Sequence, residues 1–285
     1  MKKLIFFFFF LPFITHAQIN PGAYFQVVKE YSILEEMPNY YLLADSVLLR
    51  KCPSKDCTAV DVAPIGTRLT LLAKSANKDT LNGLVSEWYQ VQTDAHKAWV
   101  WGGFIAQQAF GSNGDPDVKF VMGWKSQKEL TRTFQIRALR FGKEIDRLTF
   151  PAWANRVYPN DIQNLGNKGL PVDDVISFRF PCEGGCGCQT AESIIFWDGQ
   201  KLHHADALTG TGDAWASGGH YFIYPSDMEG IRGTLIRVYQ GYEDTEYKNG
   251  KERHKNSTKK TYLRWNGKKL VPTGRKTEEL YYYQK

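Results

Sequence analysis

Trp88-Tyr89-Gln90-Val91-Gln92 and Ala98-Trp99-Val100-Trp101 are two short apolar runs, the second followed at once by Gly102-Gly103. Short runs rich in aromatic and β-branched residues, bounded by turn residues, read as strands. In the second run alternation puts Trp99 and Trp101 on one face and Val100 on the other. Outward from these, Tyr41 to Leu43, Val47 to Arg50 and Arg68 to Leu72 repeat the pattern, with Pro53, Pro64-Ile65-Gly66 and Asn82-Gly83 between them. Asn82-Gly83 suits a tight turn because both residues tolerate positive φ. The spacing predicts a small β-barrel or sandwich over residues 40–107.

Taken together, Val47-Leu48-Leu49-Arg50 with Cys52-Pro53-Ser54, then Ala63 to Thr67, Trp88-Tyr89-Gln90-Val91, Ala98-Trp99-Val100 and Phe104-Ile105, resemble an exported bacterial SH3-like domain. The chain departs from that pattern at Ala98, where Gly is usual, and at Lys51-Cys52, where Ser-Gly is common. The resemblance implies a recognition module that binds wall peptide or glycan in an aromatic-lined groove, which accepts extended ligands at low entropy cost. It implies Tyr41, Tyr89, Trp99 and Trp101 as the ligand-binding candidates, one of the two Trp being core. Against this stands the reading in which all four aromatics pack the barrel, or the domain is a spacer.

Gly111 to Pro116 is a breaker cluster and predicts a linker over 108–116. Beyond it strand-like runs recur at Phe134–Leu139, Val175–Phe180, Ser193–Trp197, Tyr221–Tyr224, Thr234–Tyr239 and Thr261–Trp265. Few windows hold helical periodicity, so residues 117–272 read as a β-sandwich-like antiparallel domain. Phe196-Trp197-Asp198-Gly199-Gln200-Lys201-Leu202 is echoed by Arg264-Trp265-Asn266-Gly267-Lys268-Lys269-Leu270, and more faintly by Phe141 to Ile145. These unequal spacings mark repeated hairpins and no solenoid period. Residues 273–285 form a tail ending in three Tyr that adds an edge strand or stays mobile.

The 285 residues hold 36 Lys and Arg against 30 Asp and Glu, with 42% hydrophobic and 23% charged residues. This is a globular composition that excludes collagen, coiled coil and a polytopic membrane protein. Met1-Lys2-Lys3, the apolar run Leu4 to Ile14, and Thr15-His16-Ala17 make the three-part pattern of a signal peptide cut after Ala17. That run is too short to span the bilayer. Residues 18–39 read as a lead-in containing a short helix. The expectation is an exported protein, periplasmic or secreted, with no transmembrane segment after cleavage.

Export makes disulfides durable. Cys52 and Cys57 flank a loop short enough to close on itself, and Cys182, Cys186 and Cys188 cluster in a Gly-rich segment. Five is odd, so at least one thiol stays outside any pairing within the chain. Zinc bound by the clustered Cys with His203, His204 or His220 is conceivable in ligand type, but the paired C-x2–4-C spacing is missing. A disulfide within the triplet is the commoner outcome, and no metal or cofactor is expected.

No helical stretch follows those cysteines, so the pattern of a papain-like nucleophile is absent. Ser217-Gly218-Gly219-His220 lacks a nucleophile elbow. Asp173-Asp174, and Asp206 with Asp213, match no calcium loop, and Pro225 to Gly230 reads as a turn. Lys248 to Lys260, rich in Lys, reads as a basic hairpin tip that meets anionic polymer or is simply solvated. Nucleic acid is not an expected partner. The fold class read here is mainly β: an SH3-like barrel, then a β-sandwich-like domain. The functional reading is a non-catalytic envelope protein binding a wall peptide, glycan or protein segment. The alternatives are a wall hydrolase with unrecognised catalytic groups and an architectural envelope subunit.

Overall fold

A computed structural model describes residues 39–128, 131–152, 161–180, 188–213, 216–246 and 252–284. The expected signal peptide, the lead-in helix, Cys182 and Cys186 lie outside these residues. The described chain is almost all β, and its strand pairings are antiparallel.

The barrel is a six-stranded sheet of β1 (Tyr40–Tyr41), β2 (Val47–Arg50), β3 (Ala59–Ala63), β4 (Arg68–Leu81), β5 (Leu84–Gln92) and β6 (Lys97–Trp101), in the order β1-β4-β5-β6-β2-β3. Asn82 and Gly83, at φ 52° and 76°, join β4 to β5 in the tight turn that the sequence predicts. A short 3-10 turn, Gly102–Phe104, follows β6. Leu42, Val47, Leu49, Leu69, Tyr89, Val91, Ala98, Val100 and Ile105 fill the barrel.

A four-stranded sheet follows, built from β7 (Gln108–Gly111), β8 (Val118–Lys128), β9 (Thr131–Arg140) and β10 (Lys143–Ala152). Part of the expected linker is thus strand: Gln108 to Gly111 pair with Lys119 to Met122. The rest of the chain forms a nine-stranded sheet: β11 (Ile162–Asn164), β12 (Asp174–Phe180), β13 (Cys188–Trp197), β14 (Leu202–Gly212), β15 (Ala216–Ile223), β16 (Leu235–Glu246), β17 (Glu252–Trp265), β18 (Leu270–Pro272) and β19 (Glu278–Gln284). β18 and β19 share one edge of β17. Most of the basic stretch read as a hairpin tip is therefore strand β17, with Lys259 held 2.6 Å from Glu279. The tail contributes edge strand β19.

Several runs are apolar at consecutive positions because both faces of their strands are covered. On β13, Ile195 and Trp197 face the four-stranded sheet, where Phe120 meets Trp197 at 5.7 Å and Phe134 and Phe150 meet Phe178 of β12 at 5.4 and 5.0 Å. Ile194 and Phe196 take the opposite face with Phe222, Leu235 and Trp265. The two matching hairpins share one turn. Asp198 Oδ1 accepts the amides of Gln200 and Lys201, and Asn266 Oδ1 accepts those of Lys268 and Lys269. Phe141-Gly142 is a two-residue turn of another kind, with positive φ at both positions.

The barrel is not a separate bead. Leu84, Trp88 and Trp101 belong to the same buried cluster as Phe120, Phe134 and Trp197. The connection is pinned by Asp174, which is fully buried and accepts hydrogen bonds from Ser112 Oγ, the Asn113 amide at 2.8 Å and Asn164 Nδ2 at 2.8 Å. A buried carboxylate needs such donors to replace water.

Cutting the chain to residues 40–107 uncovers Leu84, Trp88 and Trp101, and each Trp carries roughly 150–250 Å² of surface. This fragment is expected to bind a hydrophobic dye strongly and to self-associate in sedimentation, whereas residues 18–285 do neither. A second expectation concerns His204, stacked on Phe150 at 5.9 Å. Burial pushes its pKa below the ordinary 6.5, and Asp206 opposes this only in part. The unfolded chain then takes up the proton more readily than the folded one. His204 is exposed overall, so its contribution to stability is small; that contribution is complete above 6.5 and is lost as pH falls through that value. Urea midpoints should fall between about pH 7.5 and about pH 5.5, and His204→Gln should flatten that fall.

Candidate functional site

β5 and β6 place the four expected aromatics by alternation. Tyr89 points into the barrel and is 2% exposed. Trp101 points the other way, out of the barrel, and is also 2% exposed because the downstream sheets cover it. Its indole N–H is shared between the carbonyls of Asp79 and Ser86, both at 3.1 Å. A side chain at Gly103 would overlap its ring, so the Gly-Gly after β6 is the seat of Trp101. Neither Tyr89 nor Trp101 offers a face to a ligand.

Trp99 and Tyr41 are half-buried and lie in different surroundings. Tyr41 packs on the Leu43, Ile65 and Val121 cluster, with the Lys119 ammonium 4.0 Å from its ring centre. Trp99 is paired across β6 with Arg50 of β2, and β2 is paired with β3 so that Leu48 opposes Val62. Residues directly opposite share a face of the sheet. The outer face of β6-β2-β3 thus carries Trp99, Arg50, Leu48 and Val62, with Leu48 41% and Val62 53% exposed. Leu48 and Val62 were not among the residues expected from sequence. The signal was present in Val47-Leu48-Leu49, where two flanking residues fill the barrel and the middle one must face out.

Beside this strip lies the loop between β2 and β3, closed by a Cys52–Cys57 disulfide with Cα atoms 5.8 Å apart. The Arg50 guanidinium donates to the Cys57 carbonyl. Asn77 Nδ2 donates to the Pro53 carbonyl at 3.1 Å, which docks the loop on β4. Asp79 then fastens β4, accepting the Trp88 indole N–H at 2.8 Å. The loop is held from both ends and from below.

The remaining candidates are dispersed. His203 Nε2 lies 2.7 Å from Asp198, His204 stacks on Phe150, and His220 Nδ1 donates to the Thr209 carbonyl at 3.1 Å. Among the described residues no group of three or more His, Cys, Asp or Glu converges as a metal site. Asp198 is held below the usual carboxylate range: burial raises it, but hydrogen bonds from His203, Lys201 and Gln200 outweigh that. Asp173 is raised by burial and then by Asp174, Asp115 and Asp198. A further concavity of about 240 Å³ opens on the nine-stranded sheet, lined in part by Arg179, Glu192, Leu208 and His220.

Residues 45–106 match the family model of the bacterial SH3 domain, and the region after it matches no family. No curated protein and no solved structure matches the chain. The chain therefore carries a bacterial SH3 domain built into a larger β protein. This match and the disulfide are consistent with an exported protein, and no helix among the described residues is long and apolar enough to cross a membrane.

The bridge closes only a short loop, so the loop-entropy argument gives about 2 kcal/mol. Cys52→Ser with Cys57→Ser should lower the unfolding free energy by that amount in urea titrations. A reducing agent should lower the stability of the unsubstituted protein by that amount more than it lowers that of the double variant.

Proposed function

We propose that the protein is an exported, non-catalytic binding protein of the bacterial cell envelope. Its SH3 domain takes an extended peptide or glycan segment of the wall across the outer face of β6-β2-β3. The observation that carries this reading is the strip of Trp99, Arg50, Leu48 and Val62 beside a disulfide-closed loop. Partly exposed apolar side chains on a rigid strand surface bind extended segments without first having to be ordered. The domain match supports a binding module of this kind, and the signal-peptide pattern of residues 1–17 supports the address.

The chemistry of the strip suits a mixed ligand. Trp99 and Leu48 offer apolar contact, while Arg50 is already committed to the Cys57 carbonyl and serves the loop. Binding there should depend more on apolar contact than on charge. The β17 lysines are less suited, because Glu279 and Glu229 lie within 2.6 and 3.8 Å of Lys259 and Lys260.

The test is sedimentation of residues 18–285 with insoluble peptidoglycan at low salt and at about 0.5 M salt, where the Debye length is only ~4 Å. Sedimentation should survive the high salt, and Trp99→Ala combined with Leu48→Asp should reduce the bound fraction about tenfold, equivalent to ~1.4 kcal/mol. Loss of binding at high salt would point to the basic strand instead. Absence of sedimentation at both salts would remove the wall as partner.

A further inference from the structure

β14 and β15 run side by side for only three residue pairs: Gly210 with Gly219, Thr211 with Gly218 and Gly212 with Ser217. Before Gly210, β14 continues along β13, and after Gly219, β15 continues along β16. The nine-stranded sheet therefore splits at the Gly210–Gly219 pair, and the concavity of about 240 Å³ lies at that split. Both glycines line it, with the Thr190 hydroxyl standing over Gly210. His220 bridges the parting strands through the Thr209 carbonyl, a side-chain bond where a ladder bond would otherwise lie.

One row of side chains leads into the split. Arg179 of β12 is opposite Glu192 of β13, and Glu192 is opposite Leu208 of β14. Opposed residues share a face, so cation, anion and apolar group follow each other across three strands. The Arg179 side chain is 62% exposed, and its Nε is 3.7 Å from Glu192, too long for a hydrogen bond. Its guanidinium fork faces no other carboxylate among the described residues. Glu192 accepts a hydrogen bond from Ser177 and keeps lone pairs for a second donor. Asp161 adds a second negative group to the lining.

We infer that this split is a binding site for a free α-amino acid with an aliphatic side chain. The α-carboxylate lies on the Arg179 fork, the α-ammonium on Glu192, and the side chain over Leu208 toward Thr209 and His220. Two arguments select this class. Arg179 and Glu192 are ion-pair neighbours at 3.7 Å, so a ligand that reaches both must carry its two charges close together, as an α-amino acid does and the termini of a longer peptide do not. A cation and an anion side by side are each better satisfied by a zwitterion than by a ligand of one sign, which would meet repulsion from one of them. The volume is below the roughly 300 Å³ where drug-sized pockets begin, which suits one small molecule. The site is independent of the barrel strip and of its ligand.

The test uses residues 18–285 and ligand-observed saturation-transfer NMR with leucine and alanine, each compared with its N-acetyl and its amide derivative. The free amino acids should bind at millimolar concentration or below. Blocking either charged group should weaken binding about tenfold, the size of one charge-assisted contact. Arg179→Gln, an exposed position that does not threaten the fold, should abolish the difference between leucine and its amide while preserving the difference between leucine and its N-acetyl form. Absence of binding by both amino acids overturns the inference. Equal binding of free and blocked forms, or an Arg179→Gln protein indistinguishable from the parent, overturns it as well. Peptidoglycan sedimentation with Arg179→Gln should be unchanged, which separates failure here from failure of the wall-binding reading.

Discussion

Strand β5 around Trp88 and strand β6 at Trp101 are covered on both faces, and this constraint decides how the rest of the chain is built. On β5, Tyr89 and Val91 fill the barrel while Leu84 and Trp88 point out of it. On β6, Ala98 and Val100 point in while Trp101 points out. The outward set joins Phe120, Phe134 and Trp197 in one cluster. Monomeric proteins rarely expose contiguous apolar patches beyond a few hundred Å², so something must cover these residues. The four-stranded sheet does so, and the nine-stranded sheet covers that in turn. The same logic repeats at β12 and β13, where consecutive apolar residues serve two clusters.

The barrel strands were legible from sequence because apolar runs and turn residues are local signals. Val47–Arg50 is a strand with the bounds expected, and Asn82-Gly83 is the expected turn. β3 was not seen because Ala59 to Val62 are all exposed, so its residues carry no inward pattern. Within 108–116, β7 was hidden beside a breaker cluster, and its pairing with β8 is a tertiary fact. The lysine-rich stretch was misread for a related reason. Its polar composition suggests a solvated tip, yet β16 and β19 pair with it on both sides, and backbone ladders do not require apolar side chains.

The candidate site was half legible. Alternation correctly set Trp99 and Trp101 on one face, but alternation cannot say which outward face water reaches. That depends on where the next sheet lands. Trp101 is under it, with its N–H held by two carbonyls, while Trp99 stays at the margin beside Arg50. Burial of Tyr89 follows from its being on the barrel side of β5. The proposed binding surface thereby moves from an aromatic groove to a strip in which aliphatic Leu48 and Val62 are the most exposed members.

A sheet this long twists, and continuous pairing through nine strands strains the ladder unless it is relieved somewhere. The relief falls where glycines face each other, Gly210 against Gly219, with Gly218 and Gly212 beside them. Glycine weakens a strand interior because it gives neighbours nothing to pack on, so this is where the strands part at least cost. A parted sheet leaves backbone groups without ladder partners, and His220 satisfies one of them from its side chain. The concavity that remains is bordered by a charged row and lined by Thr190 and Leu208. A side chain at Gly210 would meet the Thr190 hydroxyl and the Gly218 carbonyl, so the glycines let three strands approach closely just before two of them part, and the close pairing and the opening beside it have one origin.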